Sequence, residues 1–145
     1  MSNIVIVCPY QEAHVTPDIL FPNFQYTMEQ CTDCFTAANM ITFSIFKKGI
    51  LLAVVPVYYI REYVAEGMVY VTQYASTYTR SVVEGLRIIA ENAKRLLEVR
   101  RLQVAVEVGN KPALKLILAV GFEYETILKQ YSDNDKDCYL LARFY

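Results

Sequence analysis

Over the first half of the chain the apolar residues come in short, β-branched blocks separated by turn formers. Beyond residue 79 they recur at three- and four-residue spacing. The first pattern predicts strands at residues 3–7, 40–46 and 50–64, with Lys47, Lys48 and Gly49 as a hairpin turn. Gly67 is expected to break the chain before a further strand at residues 68–74. Residues 11–38, which hold Pro17 and Pro22, read as loop plus one or two short helices ending near residues 29–38. The clearest element is a helix over residues 79–101. Its apolar stripe runs through Val82, Val83, Leu86, Ile89, Ala90, Ala93, Leu96 and Leu97, and its other face alternates Arg80, Glu84, Arg87, Glu91, Lys94, Glu98 and Arg101. Two interpretations of that face are a basic stripe for an anionic partner and an exposed face with i,i+3 and i,i+4 pairs; the regular alternation favours the second. A β-branched strand at 102–108 follows. Asn110 then opens a helix as N-cap, with Pro112 in its first turn and Gly121 closing it. Residues 122–131 and 138–145 form a last hairpin around a polar turn at 132–137.

Composition narrows the class. A length of 145 residues suits one domain, and 54% hydrophobic content with a net charge of −1 excludes disorder. A pI near 5.8 gives no bulk charge for binding nucleic acid. The charge is uneven, however: residues 1–46 contain no Lys or Arg but four acids, Glu12, Asp18, Glu29 and Asp33. The start of the chain has no basic region before its apolar stretch and reads as a strand, not a signal peptide. The longest apolar run, residues 50–60, is 11 residues with Pro56 inside it, whereas a membrane span needs about 20. No membrane association is expected.

Metal and thiol chemistry find little support. Cys31 and Cys34 have CxxC spacing, but only Cys8, Cys138 and His14 remain as further ligands and no second paired motif exists. Free thiols in a reducing compartment are the expectation. Asp133, Asp135 and Asp137 resemble the start of a calcium loop. Its sixth position would need Gly and is Cys138; its twelfth would need Glu and is Phe144. No metal site is expected.

Asn110, Ala113, Leu116 and the pair Gly121-Phe122 fall in the register of a motif found in the GNAT N-acetyltransferase superfamily, and the order of elements fits that family over nearly the whole chain. The chain thus resembles GNAT proteins. The resemblance implies an α/β (α+β) fold: a mixed, mostly antiparallel sheet of about six or seven strands flanked by helices, in one domain over residues 1–145. It also implies where acetyl-CoA would bind. Family enzymes carry a glycine-rich loop before the long helix, whose amides meet the CoA pyrophosphate. Here the corresponding residues 74–81 contain no glycine. Ser76, Thr77 and Thr79 offer hydroxyls and Arg80 a charge, with Asn110 as a further cofactor-side position if CoA binds. The competing interpretation makes Ser81 and Glu84 a capping box and the hydroxyls spare caps. Many family enzymes have a Tyr after the matched Leu to protonate the departing thiolate; this chain has Ile117. Residues 68–74 offer no carboxylate, leaving Glu62, Glu66 and Glu107 nearby, and His14 as the single histidine. No catalytic set is assembled from these.

Two readings follow. The first is a GNAT-fold protein that has lost its cofactor and acts as a non-catalytic assembly or interaction protein, similar to small internal virion and head-assembly proteins of tailed phages, with the same Gly109-Asn110 and an equally glycine-poor loop. The second is an acetyl-CoA-dependent N-acetyltransferase acting on a small-molecule or protein amine. The 12 tyrosines, six of them within residues 58–78, point to a protein partner or to self-association. The resemblance places a homodimer at the C-terminal strands, residues 122–145. The expected location is the cytoplasm, or the inside of a phage particle.

Overall fold

The computed structural model describes residues 3–22 and 39–145. The first strand is β1 (Ile4–Val7), followed by a 3-10 turn at Glu12–His14. Then come β2 (Met40–Lys47), β3 (Ile50–Arg61), β4 (Val64–Gly67) and β5 (Tyr70–Val71). Helix α1 (Thr79–Glu91) and the short α2 (Ala93–Leu97) lead to β6 (Arg101–Glu107), α3 (Lys111–Val120), β7 (Glu123–Leu128) and β8 (Cys138–Phe144). The strand order is β1-β2-β3-β4-β6-β8-β7, with β5 on β3. β4 pairs with β6 in parallel, and the pairs β1–β2, β2–β3, β3–β5, β6–β8 and β7–β8 are antiparallel. The mixed, mostly antiparallel sheet with flanking helices therefore stands, with eight strands among the described residues.

The chain forms two compact units, and β3 and α1 each contribute to both. One unit comprises Met1–Tyr58 and Met68–Gly85. Its sheet is the β1–β2–β3 meander, and Ile45, Leu52, Val54, Val57 and Val82 are among its fully buried side chains. Lys48 and Gly49 both take positive φ, so β2 and β3 are joined by a two-residue turn whose twist suits a hairpin. A second cluster packs Tyr10, Val15 and Ile19 on Leu51 and Val54. The other unit comprises Tyr59–Gly67 and Leu86–Tyr145, built on β4, β6, β8 and β7. Strand β6 alternates cleanly: Leu102, Val104 and Val106 are buried while Arg101, Gln103 and Glu107 are not.

Three sequence expectations are corrected. The strand expected over residues 50–64 is interrupted at Glu62-Tyr63, where Tyr63 adopts φ +65°; Gly67 does end β4, opposite Val104, and Met68 and Val69 separate it from β5. A tyrosine in the left-handed region carries no turn signature, which is why the pattern ran β3 on to residue 64. The strand expected at 68–74 shrinks to Tyr70–Val71. The helix expected to reach residue 101 is interrupted at Asn92, which leaves helical geometry at φ −104° and ψ 8° and donates to the Ile88 carbonyl from both its amide and its side chain. Glu98, at φ +54°, closes α2, and β6 starts at Arg101. Among the described residues no ion pair forms along α1. Arg87 donates from Nε and Nη2 to the Ala119 carbonyl, placing a cation at the C-terminal end of α3. The short helices expected near residues 29–38, and Cys31 with Cys34, lie outside the described residues.

Candidate active site

The segment entering α1 is wound from successive turns. The amides of Ala75, Thr77, Tyr78 and Ser81 donate to the carbonyls of Thr72, Tyr74, Ala75 and Tyr78 at 3.0–3.2 Å. The amide of Tyr74 donates to Thr72 Oγ1, and that of Val82 to the Tyr78 carbonyl. Thr72 anchors the segment, being 2% exposed with its hydroxyl on the Leu51 carbonyl at 2.7 Å. Six amides are therefore taken up internally. Those of Ser76, Thr79 and Arg80 are not, and all three residues are exposed, as is Thr77. The Thr79 hydroxyl donates back to Ser76 and Ala75 carbonyls, leaving Ser76, Thr77 and the Arg80 guanidinium facing outward. Ser81 is not a cap. It is the third residue of α1, buried, and its hydroxyl accepts from Lys47 Nζ, which lies 5.3 Å from the Tyr78 ring centre.

In the second unit Asn110 does what its spacing predicted. Its side-chain oxygen accepts the Ala113 amide, and Gly121 closes α3 at φ +104°. That occupies Asn110 as a helix cap. Ile117 is 4% exposed, a packing residue at the position where the resemblance asks for an acid.

The most unusual feature of this unit is Glu66 on β4, a carboxylate only 4% exposed. Tyr131 donates its hydroxyl to Oε1 at 2.8 Å and to Oε2 at 3.1 Å; Gln103 Nε2 donates to Oε1 at 2.8 Å. Both carboxylate oxygens thus have hydrogen-bond partners despite burial. Arg101 Nε in turn donates to Gln103 Oε1, which fixes the amide so that its nitrogen faces Glu66. Arg101 also makes a bidentate pair with Glu125. That pairing raises the Arg101 pKa and lowers that of Glu125. Tyr131 is held by the turn after β7: its amide and that of Ser132 reach the Lys136 carbonyl, while Asp137 accepts the Gln130 amide and Lys129. Those contacts, the Gln130 amide foremost, hold the Asp137 carboxyl below the usual range.

Beside this network lies a pocket of about 720 Å³. Its polar lining is Arg61, Arg100, Arg101, Gln103 and Tyr131, and its apolar lining includes Ile60, Val64, Leu128, Leu140 and Phe144. The other sequence candidates have surface or structural roles. Glu62 sits in the exposed β3–β4 turn, and Glu107 meets Asn134 and, at 3.9 Å, Lys136. His14 accepts the Gln11 amide at Nδ1, shares that nitrogen with buried Ser44 at 2.8 Å, and packs edge-on to Tyr10 and Phe46. Burial lowers its pKa, which keeps it a neutral packing group. Among the described residues no cluster of metal ligands exists, and no helix is long and apolar enough to cross a membrane.

Solved structures share the fold over most of the chain. A spermidine N-acetyltransferase chimera from Vibrio cholerae and hSSAT superposes with a TM-score of 0.74 at 14% identity, covering 99% of this chain and 96% of that one. An IAA acetyltransferase from Bacillus cereus gives 0.73 at 17% identity over 98% and 99%. An acetyltransferase of the GNAT family from Streptococcus pneumoniae gives 0.67 at 17% over 97% and 98%. The fold is that of the GNAT acetyltransferases. No protein-family model matches the chain, and no curated protein matches it. Within this GNAT fold, sequence reasoning named Glu66 but not what sets it apart. Gln103 and Tyr131 lie 37 and 65 residues away, and no local spacing links them to it. The available signal was an acid at a position of β4 otherwise filled by Val64, Ala65 and Gly67.

Proposed function

We propose that this chain is an acyl-CoA-dependent N-acetyltransferase in which Glu66 is the general base. The buried Glu66–Tyr131–Gln103 network carries the reading, because it fixes a carboxylate in place on the parallel β4–β6 pair, where it could take up a proton from an amine. Glu66 lies one residue before the last parallel pair of β4 and β6, Gly67 opposite Val104. The likeness of the whole chain to acetyltransferases supports the same reading. Acetyl-CoA would supply a thioester carbonyl. Taken by itself, the first unit offers a CoA pyrophosphate the outward hydroxyls of Ser76 and Thr77, the amides of Thr79 and Arg80 at the start of α1, and the Arg80 guanidinium. Glu66 takes the proton that the amine loses as its nitrogen bonds to the carbonyl carbon, and Tyr131, whose ring reaches solvent, gives that proton a way out. The thiol leaving group, with a pKa near 8.5, takes its proton from water, consistent with Ile117 in place of an acid.

A second reading, a non-catalytic assembly or interaction protein of the kind found inside phage particles, is favoured by the six loop amides closed on themselves and by Ile117. In either reading self-association is proposed at the C-terminal hairpin. Titration calorimetry with acetyl-CoA separates the two. Micromolar binding, weakened roughly tenfold by Arg80→Ala, is expected. Glu66→Gln should bind acetyl-CoA as the parent does while thiol release with a panel of amines falls at least about a hundredfold. No heat at hundreds of micromolar would leave only the second reading.

A further inference from the structure

We propose that the pocket beside β6 and β8 binds a small amphipathic carboxylate, an aryl or alkyl acid, with the acid group on Arg61 and Arg100. Three guanidiniums line this cavity. Arg101 is already satisfied by Glu125 and Gln103, and its guanidinium lies over the Phe144 ring at 5.4 Å. Arg61 and Arg100 are exposed and form no ion pair among the described residues. The Arg100 backbone is fixed on both sides: its amide donates to the Tyr63 carbonyl, and its carbonyl accepts the Tyr145 amide. The cation therefore stands on a fixed strand end.

The remaining wall is apolar and open to water. Ile60 is 43% exposed and Phe144 57%, large side chains that a ligand body would cover. A volume near 720 Å³ lies within the range of small-molecule sites, roughly 300–1,000 Å³. Planar guanidinium forks match a carboxylate, and an apolar wall favours an organic acid over a bare inorganic anion. The same charges oppose a polycation, so a polyamine is a poor occupant. The binding itself does not require the acetyltransferase reading. Where that reading holds, the inference rests on it in one further respect, giving the acceptor a carboxylate in addition to its amine.

Saturation-transfer NMR on the full chain without acetyl-CoA tests this with phenylacetate, phenethylamine and inorganic phosphate. Phenylacetate should bind below about 10 mM, phenethylamine should not, and phosphate should not displace phenylacetate. The double variant Arg61→Ala/Arg100→Ala should weaken phenylacetate binding roughly tenfold, with an unchanged circular dichroism spectrum showing that it folds. If the variant does not fold, the single changes should each weaken binding. Equal binding of the amine, displacement by phosphate, an unaffected variant, or no phenylacetate signal would each overturn the proposal. Because no arm uses acetyl-CoA, failure here is separate from failure of the acetyltransferase reading.

Discussion

Glu66 and Tyr145 are both polar groups placed away from water, and each is met by a partner. Glu66 is buried yet satisfied, because two donors from distant segments meet it. Tyr145 is a tyrosine whose hydroxyl donates to the Ala90 carbonyl, and burial pushes its pKa up to about 12, with nearby Arg143 opposing. An unfolded tyrosine ionises near 10. The folded state therefore keeps its proton where the unfolded state loses it, so this contribution is complete below pH 10 and is lost as pH rises through 12. Urea unfolding followed between pH 9 and 12 should show stability falling across that window. In Tyr145→Phe the fall should be shallower; an identical pH profile would show that the phenol does not take part.

At the scale of elements, α1 contains a glycine that helix propensity would replace. Gly85→Ala gains about 1 kcal/mol in an exposed helix. Here a Cβ would stand 2.8 Å from Ile45 Cγ2 and 3.0 Å from Cδ1, and Ile45 is itself fully buried. The close approach decides the sign: Gly85→Ala should cost about 1–3 kcal/mol, seen as a lowered melting temperature, while a rise would show that β2 yields easily. The same element separates what was legible in the sequence from what was not. The start of α1, its buried stripe and the Asn110 and Gly121 caps of α3 follow from local spacing, since each depends on neighbours within one turn. Its end does not, because Asn92, where the helix is interrupted, looks in sequence like any polar helix residue. The Glu62-Tyr63 turn escaped for a like reason, its positive φ belonging to a tyrosine. The site divides the same way. A glycine-free loop is visible as letters, but its closed amides and the pairing of Glu66 with Tyr131 are contacts of the folded chain.

For the molecule as a whole, the proposed self-association turns on which surface the C-terminal hairpin exposes. Strand β7 ends the sheet order, and the register shift between Tyr124 and Thr126 marks a bulge. A bulge whose extra residue is Glu125, close to Glu123, disfavours main-chain pairing with another strand. It has a second effect. Tyr124 stands opposite Leu141 and Ile127 opposite Tyr139, two β8 residues on the same face, so the extra residue brings Tyr124 and Ile127 to one side of the hairpin. Both are exposed, at 53% and 41%, and Tyr124 packs edge-on to Tyr139. A second copy would then meet this face through side chains and bury apolar area, a contact that salt does not weaken. Light scattering after gel filtration should give about twice the 16.7 kDa chain mass, unchanged in 1 M sodium chloride (about 3 Å screening length), with Ile127→Lys returning the monomer. A parent chain that runs as a monomer at tens of micromolar would remove this face as a self-association surface, and a dimer that dissolves in salt would move the contact onto the charges of Glu123 and Glu125.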